Sequence, residues 1–211
     1  MKPIKEPKGR LRYLEPEEKA RLLAAAKEPL RTIILTGLHA GLRIHAEALT
    51  LRWADVDLKR RLLTVQAAYA KSGQTRTIPM NSALREAVRE RRLRDGAGEF
   101  VFHRRDGSPY RDVRTAFENA RRRAGLGEDV TPHTLRHTFA SRLAMAGVDL
   151  RTIQELGGWS DLNMVKRYSH LSPGHKAEAV ERLATRNSPT LFTTPAFGEK
   201  VETSEGQPKF A

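Results

Sequence analysis

Between Asp55 and Met80 the hydrophobic period of this chain switches from the helical 3.6 to 2, and it switches back after Asn81. Leu63, Val65 and Ala67 alternate with polar neighbours, Lys71-Ser-Gly-Gln supplies a turn, and Thr75, Thr77 and Ile78 read as a returning strand. So short a stretch makes only a small antiparallel sheet, with Lys71 near a hairpin tip, and the rest of the core must come from helices. The expected fold is mainly α with a small antiparallel β-sheet, an α+β arrangement.

Helical spacing elsewhere supports this. A first helix is predicted from Glu15 to Lys27, with Pro16 in its first turn and Glu17 and Glu18 near the positive end of its dipole. A second runs from Arg31 to Leu38, punctuated by Gly37 and Gly41, and a third from Ala46 to Trp53. Asn81 is an N-cap, Phe100-Val-Phe reads as one short strand, and Val113, Phe117, Ala120 and Ala124 mark a core-facing helix. A helix from His133 to Ala146 buries Leu135, Phe139 and Leu143 and leaves His133, Arg136 and His137 grouped on the opposite side. Asp149 caps the next helix, which stops at Gly157-Gly158, and two further short helices carry Tyr168 and residues 175 to 184. Residues 1–12, rich in proline, lysine and glycine, read as a linker from an upstream domain, and residues 187–211 as a flexible tail around a folded body over 13–186.

Lysine and arginine number 38 against 25 aspartates and glutamates in 211 residues, a net charge of +13. Such a surface attracts polyanions, a nucleic-acid backbone first among them, although a ribosomal or membrane-surface protein would share the balance. There is no cysteine, so packing alone must hold the fold and thiolate metal sites are excluded. No segment has the length of an apolar membrane span and the start lacks the apolar stretch of a signal peptide, so a cytoplasmic location is expected.

Four separated pieces carry chemistry: Gly41-Leu-Arg43, Lys71-Ser-Gly, His133-Thr-Leu-Arg136 with His137, and Leu156-Gly-Gly-Trp-Ser160 followed by Arg167-Tyr168-Ser-His170. Together, in this order and over residues 12 to 185, they resemble the tyrosine recombinase (phage integrase) family. The resemblance implies a catalytic domain over residues 13–186. It makes Arg43 and Arg136 the catalytic arginines, Lys71 the hairpin lysine and His133 the histidine ahead of the second arginine. Trp159 then fills the histidine-or-tryptophan position and Tyr168 is the nucleophile. It also implies double-stranded DNA as partner, further protomers assembled on that DNA as a tetrameric synapse, and a bacterial or phage setting. One departure stands out: the family's glutamate three residues after the first arginine is here Glu47, four after Arg43, so a bulge or a later helix start must absorb one extra residue.

These residue types suit phosphoryl transfer, which asks for charge neutralisation and in-line positioning. Two planar guanidiniums can grip both non-bridging oxygens of one phosphate. A tyrosine hydroxyl, with a reference pKa of about 10, needs a proton acceptor, for which His133 is suited, and a cationic field. By the same resemblance Lys71 would give a proton to the departing 5′ oxygen, and the covalent 3′-phosphotyrosine would conserve the bond energy, so neither metal nor ATP nor any other cofactor is expected.

Duller readings compete residue by residue. Lys71 can be an ordinary hairpin lysine, with Lys59 or Arg76 serving the phosphate. Trp159 can be core filling, and Tyr168 a helix-face aromatic. His133 and His137 lie one turn apart, yet Thr-Leu-Arg between them puts a repelling cation where a zinc site needs none. A tyrosine-type topoisomerase would use the same residues, and a DNA-binding protein that had lost the reaction would keep the fold without needing Arg43, Arg136 and Tyr168 intact.

Overall fold

The computed structural model describes residues 11–95 and 98–172. Among these residues, six α-helices and a three-stranded antiparallel sheet, β1-β2-β3, make up the fold, as the change of period predicted. The helix expected over 175 to 184, the tail and most of the linker lie outside the described residues. Arg12, placed in that linker, pairs with Glu18 and Asp129, both at 2.6 Å, and Leu14 is fully buried.

Helix α1 (Pro16–Ala25) opens with a capping box between Glu15 and Glu18, which satisfies donors that a helix start otherwise leaves free. Helix α2 (Leu30–Ala40) ends where Gly41 takes φ +64°, and a Cβ there would sit 2.5 Å from the Phe139 ring. Only glycine satisfies both the left-handed backbone and that close approach.

The third predicted helix, Ala46 to Trp53, does not form as such. A π-helix spans Ile44–Ala48 and a 3-10 turn Trp53–Asp55. The amide of Ala48 donates to the carbonyl of Arg43 at 3.0 Å, and that of Leu49 to Ile44 at 3.0 Å, the i→i+5 pattern that absorbs one extra residue.

Strands β1 (Val56–Asp57), β2 (Leu62–Val65) and β3 (Arg76–Pro79) follow. Leu63, Val65 and Ile78 are buried on one face, as alternation requires, with Leu63 opposite Ile78 and Val65 opposite Arg76. Ala67 falls beyond the strand, in the connecting loop, where its amide donates to the Thr75 hydroxyl at 3.1 Å and bends the chain. Helix α3 (Ser82–Asp95) is capped by Asn81, whose side chain accepts from the Leu84 amide. The strand expected at Phe100-Val-Phe is reduced to isolated bridges, Arg52 with Phe100 and His103 with Pro109, although Val101 and Phe102 are fully buried. Apolar character there serves the core, and no neighbouring strand extends the pairing.

Helix α4 (Arg114–Arg123) buries Phe117 and Ala120. Helix α5 (Pro132–Met145) runs between two apolar clusters: Leu135 belongs to the large one, Ala140 and Ala144 to a small one with Ile153, Val165 and Tyr168. The predicted two-sided division of α5 therefore needs correction. Arg136 is itself buried, Leu143 packs with the small cluster, and His133 is exposed. Helix α6 (Leu150–Gly157) is capped by Asp149 and ends at left-handed Gly158, and Tyr168 follows on a 3-10 turn (Lys166–Leu171) rather than an α-helix.

Candidate active site

Arg43 leaves α2 through the glycine turn and becomes the N-cap of the π-helix. The Glu47 carboxylate folds back over that helix start. It accepts from the Arg43 backbone amide at 3.0 Å and from Nη1 of the Arg43 side chain at 3.1 Å. Arg76 on β3 grips the same carboxylate with both Nη1 (3.1 Å) and Nη2 (2.7 Å). The Glu47 side chain is fully buried, which only these cations make tolerable.

Arg136 enters from α5, whose start is fixed by a Thr131–Thr134 capping box and Pro132. Its Nη1 donates to the Gly41 carbonyl at 2.7 Å, and its Cζ lies 3.9 Å from the centre of the Trp159 ring, a cation–π stack. Burial pushes the guanidinium down to about 9, against the pull of Glu47 and with the repulsion of Arg43 and Arg76, yet it stays charged at neutral pH. Its buried Nη2 has no partner among the described protein groups. A desolvated cation with an unused donor is a built-in demand for an anion.

Arg43, His133 and Arg136 line one cleft of about 400 Å³, with Arg114 and Arg121 adding charge to its wall. Trp159 stacks behind it. The backbone at Gly157 passes so close to the indole that a Cβ there would lie 1.8 Å from the ring. The Tyr168 ring is next, 6.0 Å from the Trp159 ring centre. Tyr168 is fully buried and its hydroxyl lies 2.7 Å from Nδ1 of His137. Burial pushes the phenol up to about 12, against the pull of Arg167 and Arg136. The imidazole is pushed down to about 4, first by burial and then by Arg167, His133 and Arg136, so it is neutral at pH 7, and its Nδ1 shares a hydrogen bond with the hydroxyl.

Five of the six expected residues thus come together: Arg43, His133 and Arg136 at the cleft, Trp159 and Tyr168 behind it. Lys71 does not join them. It is exposed in the β2–β3 loop, whose neighbouring residues Ser72, Gln74 and Thr75 border the Trp159 loop. The hydroxyl of Tyr168 meets His137 instead of the expected acceptor His133. Arg76, weighed as a phosphate ligand, is committed to Glu47, and Lys59 is exposed on a turn and does not line the cleft. Two residues of the site went unassigned from sequence. Arg76 left a signal, since it shares a strand face with buried Ile78 and an inward arginine requires a buried anion. His137 left a weaker one, its place one turn after His133.

Residues 12–175 match the model of the phage integrase family. Over 192 residues the chain is 32% identical to the integrase of Salmonella phage P22, covering 85% of this chain and 49% of that protein. With the tyrosine recombinase XerA of Thermococcus kodakarensis it shares 34% over 191 residues, 86% of this chain and 66% of that one. The chain therefore spans about half to two thirds of the length of these relatives. Among solved structures, the Tn1549 transposon integrase in complex with circular intermediate DNA superposes with a TM-score of 0.68 at 26% identity, over 84% of this chain and 68% of that one. The matched span takes in every residue of the arginine cleft and of the tyrosine turn behind it, and on that span this chain belongs to the phage integrase family.

Proposed function

We propose that this chain is the catalytic part of a site-specific DNA recombinase that cleaves and rejoins strands through a 3′-phosphotyrosine at Tyr168. The observation that carries the reading is the cleft in which Arg43 and Arg136 converge, with the buried, underused Arg136 guanidinium stacked on Trp159 and Tyr168 one ring further. A DNA phosphate seated there would meet both guanidiniums as negative charge grows on its non-bridging oxygens. The Tyr168 oxygen attacks phosphorus, the bond to the 5′ oxygen breaks, and that oxygen takes a proton from Lys71, which the exposed loop can carry to the scissile bond. The reverse attack by a 5′ hydroxyl reseals the strand. His133 at the cleft takes up the proton that the Tyr168 hydroxyl releases once the turn has moved outward, and Trp159 holds Arg136 in place. Charge neutralisation by arginine lets the reaction run without metal or nucleotide.

In the resting arrangement Tyr168 is a poor nucleophile, buried and protonated, so engagement of DNA must move the 166–171 turn outward and break the contact with His137. Double-stranded DNA is the substrate, and further protomers bound to it, four in a synapse, are the partners, as befits a relative of integrases and of a transposon integrase that has been seen with DNA. No helix among the described residues is long and apolar enough to cross a membrane. The enzyme acts on DNA in the cytoplasm of a bacterium, encoded by it or by a phage.

The test is covalent capture in EDTA on nicked duplexes with a randomised core. The expected result is a protein–DNA adduct mapped by mass spectrometry to Tyr168 and lost in Tyr168→Phe. Salt-sensitive binding with no adduct from any sequence would replace this reading with a binding-only one.

A further inference from the structure

We infer that Arg76 is a positioning residue of the proposed cleavage site, holding Glu47 so that Arg43 keeps most of its guanidinium for the phosphate. This rests on the strand-cleaving reading above. All sides of the Arg76 fork are used inside the protein. Nη1 and Nη2 grip Glu47, and Nε donates to the Leu156 carbonyl at 3.2 Å, at the end of α6 just ahead of Gly157-Gly158-Trp159. The guanidinium also lies against Gly158, where a Cβ would come within 2.7 Å of Nη1. Its side chain is 9% exposed, so it cannot act as a free surface cation that reaches DNA.

The consequence lies in how two arginines share one carboxylate. Arg76 takes Glu47 bidentately, while Arg43 spends only Nη1 of its side chain on it and lines the cleft with the remainder. Without Arg76, the buried Glu47 carboxylate has one cation left in direct contact and turns fully onto it, since an unpaired buried charge is costly and a bidentate arginine pair is the stronger geometry. Arg43 is then withdrawn from the phosphate. The contact to Leu156 makes the same residue a strut between β3 and the loop that presents Trp159 to Arg136.

The test uses the full chain and the nicked duplex selected above. In Arg76→Gln the single-turnover rate of adduct formation at saturating protein falls about 30-fold or more, while DNA affinity changes less than about threefold. Adding Glu47→Gln to Arg76→Gln restores part of that rate, because the competing anion is gone; a merely structural role would make the double variant worse. A crystal structure of Arg76→Gln, which needs no activity, shows Glu47 bidentate on Arg43. Should Arg76→Gln fail to fold, Arg76→Lys keeps the charge and loses the fork, and is expected to slow cleavage in the same way. If the unmodified chain yields adduct and Arg76→Gln matches its rate, or the double variant is no faster and Arg43 has not moved, the inference is overturned. If no chain yields adduct, the strand-cleaving reading fails, and the position of Glu47 in the variant crystal decides this one.

Discussion

His137 carries two messages at the scale of single residues, because its imidazole is held neutral by burial while its Nδ1 binds the Tyr168 hydroxyl. Its folded pKa of about 4 lies below the ordinary 6.5, so between these values the unfolded chain binds the extra proton. Stability is therefore fully present above the ordinary value, is lost as pH falls from there toward 4, and levels off below. The shift corresponds to at most about 3 kcal/mol, reduced by solvent screening. Urea midpoints measured at several pH values should show this extra loss in the unmodified chain and lack it in His137→Gln; identical slopes would show that the imidazole is not buried neutral. At this scale the sequence was legible where several motifs combine. Arg136 and Tyr168 stand out through the pieces that surround them, and the fold brings the first to the cleft and the second behind it. Arg76 and His137 do not stand out, because their roles come from one partner each, Glu47 and Tyr168, that only the folded chain brings within 3 Å or so of them.

Among the elements, the π-helix shows how a register problem visible in the sequence is solved. The spacing from Arg43 to Glu47 demanded an irregularity, and the widened turn supplies it without displacing Ala48 or Leu49 from the core. Deleting exposed Ala46 should convert the turn to ordinary α geometry, keep Glu47 on Arg43 and change thermal stability by no more than about 1 kcal/mol. A collapse in the melting temperature would mean the extra residue has become part of the packing. Helix ends were readable where Asp149, Asn81 and Gly158 set them, while the Thr131–Thr134 capping box that starts α5 went unread. Phe100-Val-Phe was misread because buried apolar runs look alike whether or not a strand lies beside them.

Across the whole molecule the excess of 13 positive charges would make the proposed DNA association an ion-exchange process. Binding constants for duplex DNA, plotted against salt on logarithmic axes, should fall with a slope of roughly −3 or steeper; a flat line would remove the backbone as the main contact. The packing is uneven in a way that charge does not reveal. Tyr168 is rooted in the small cluster beside α5, with Val165 and Ile153, while Leu135 on the same helix is anchored in the large one. Few apolar groups must let go for the tyrosine turn to open, so its opening free energy should lie well below that of global unfolding. In native-state hydrogen exchange the Tyr168 amide, bonded to the Val165 carbonyl, should exchange far ahead of the amides in the middle of α5. Tyr168, the nucleophile of the proposed reaction, would then be mounted on a part of the chain that opens early, and could be released repeatedly while the arginine cleft stays assembled.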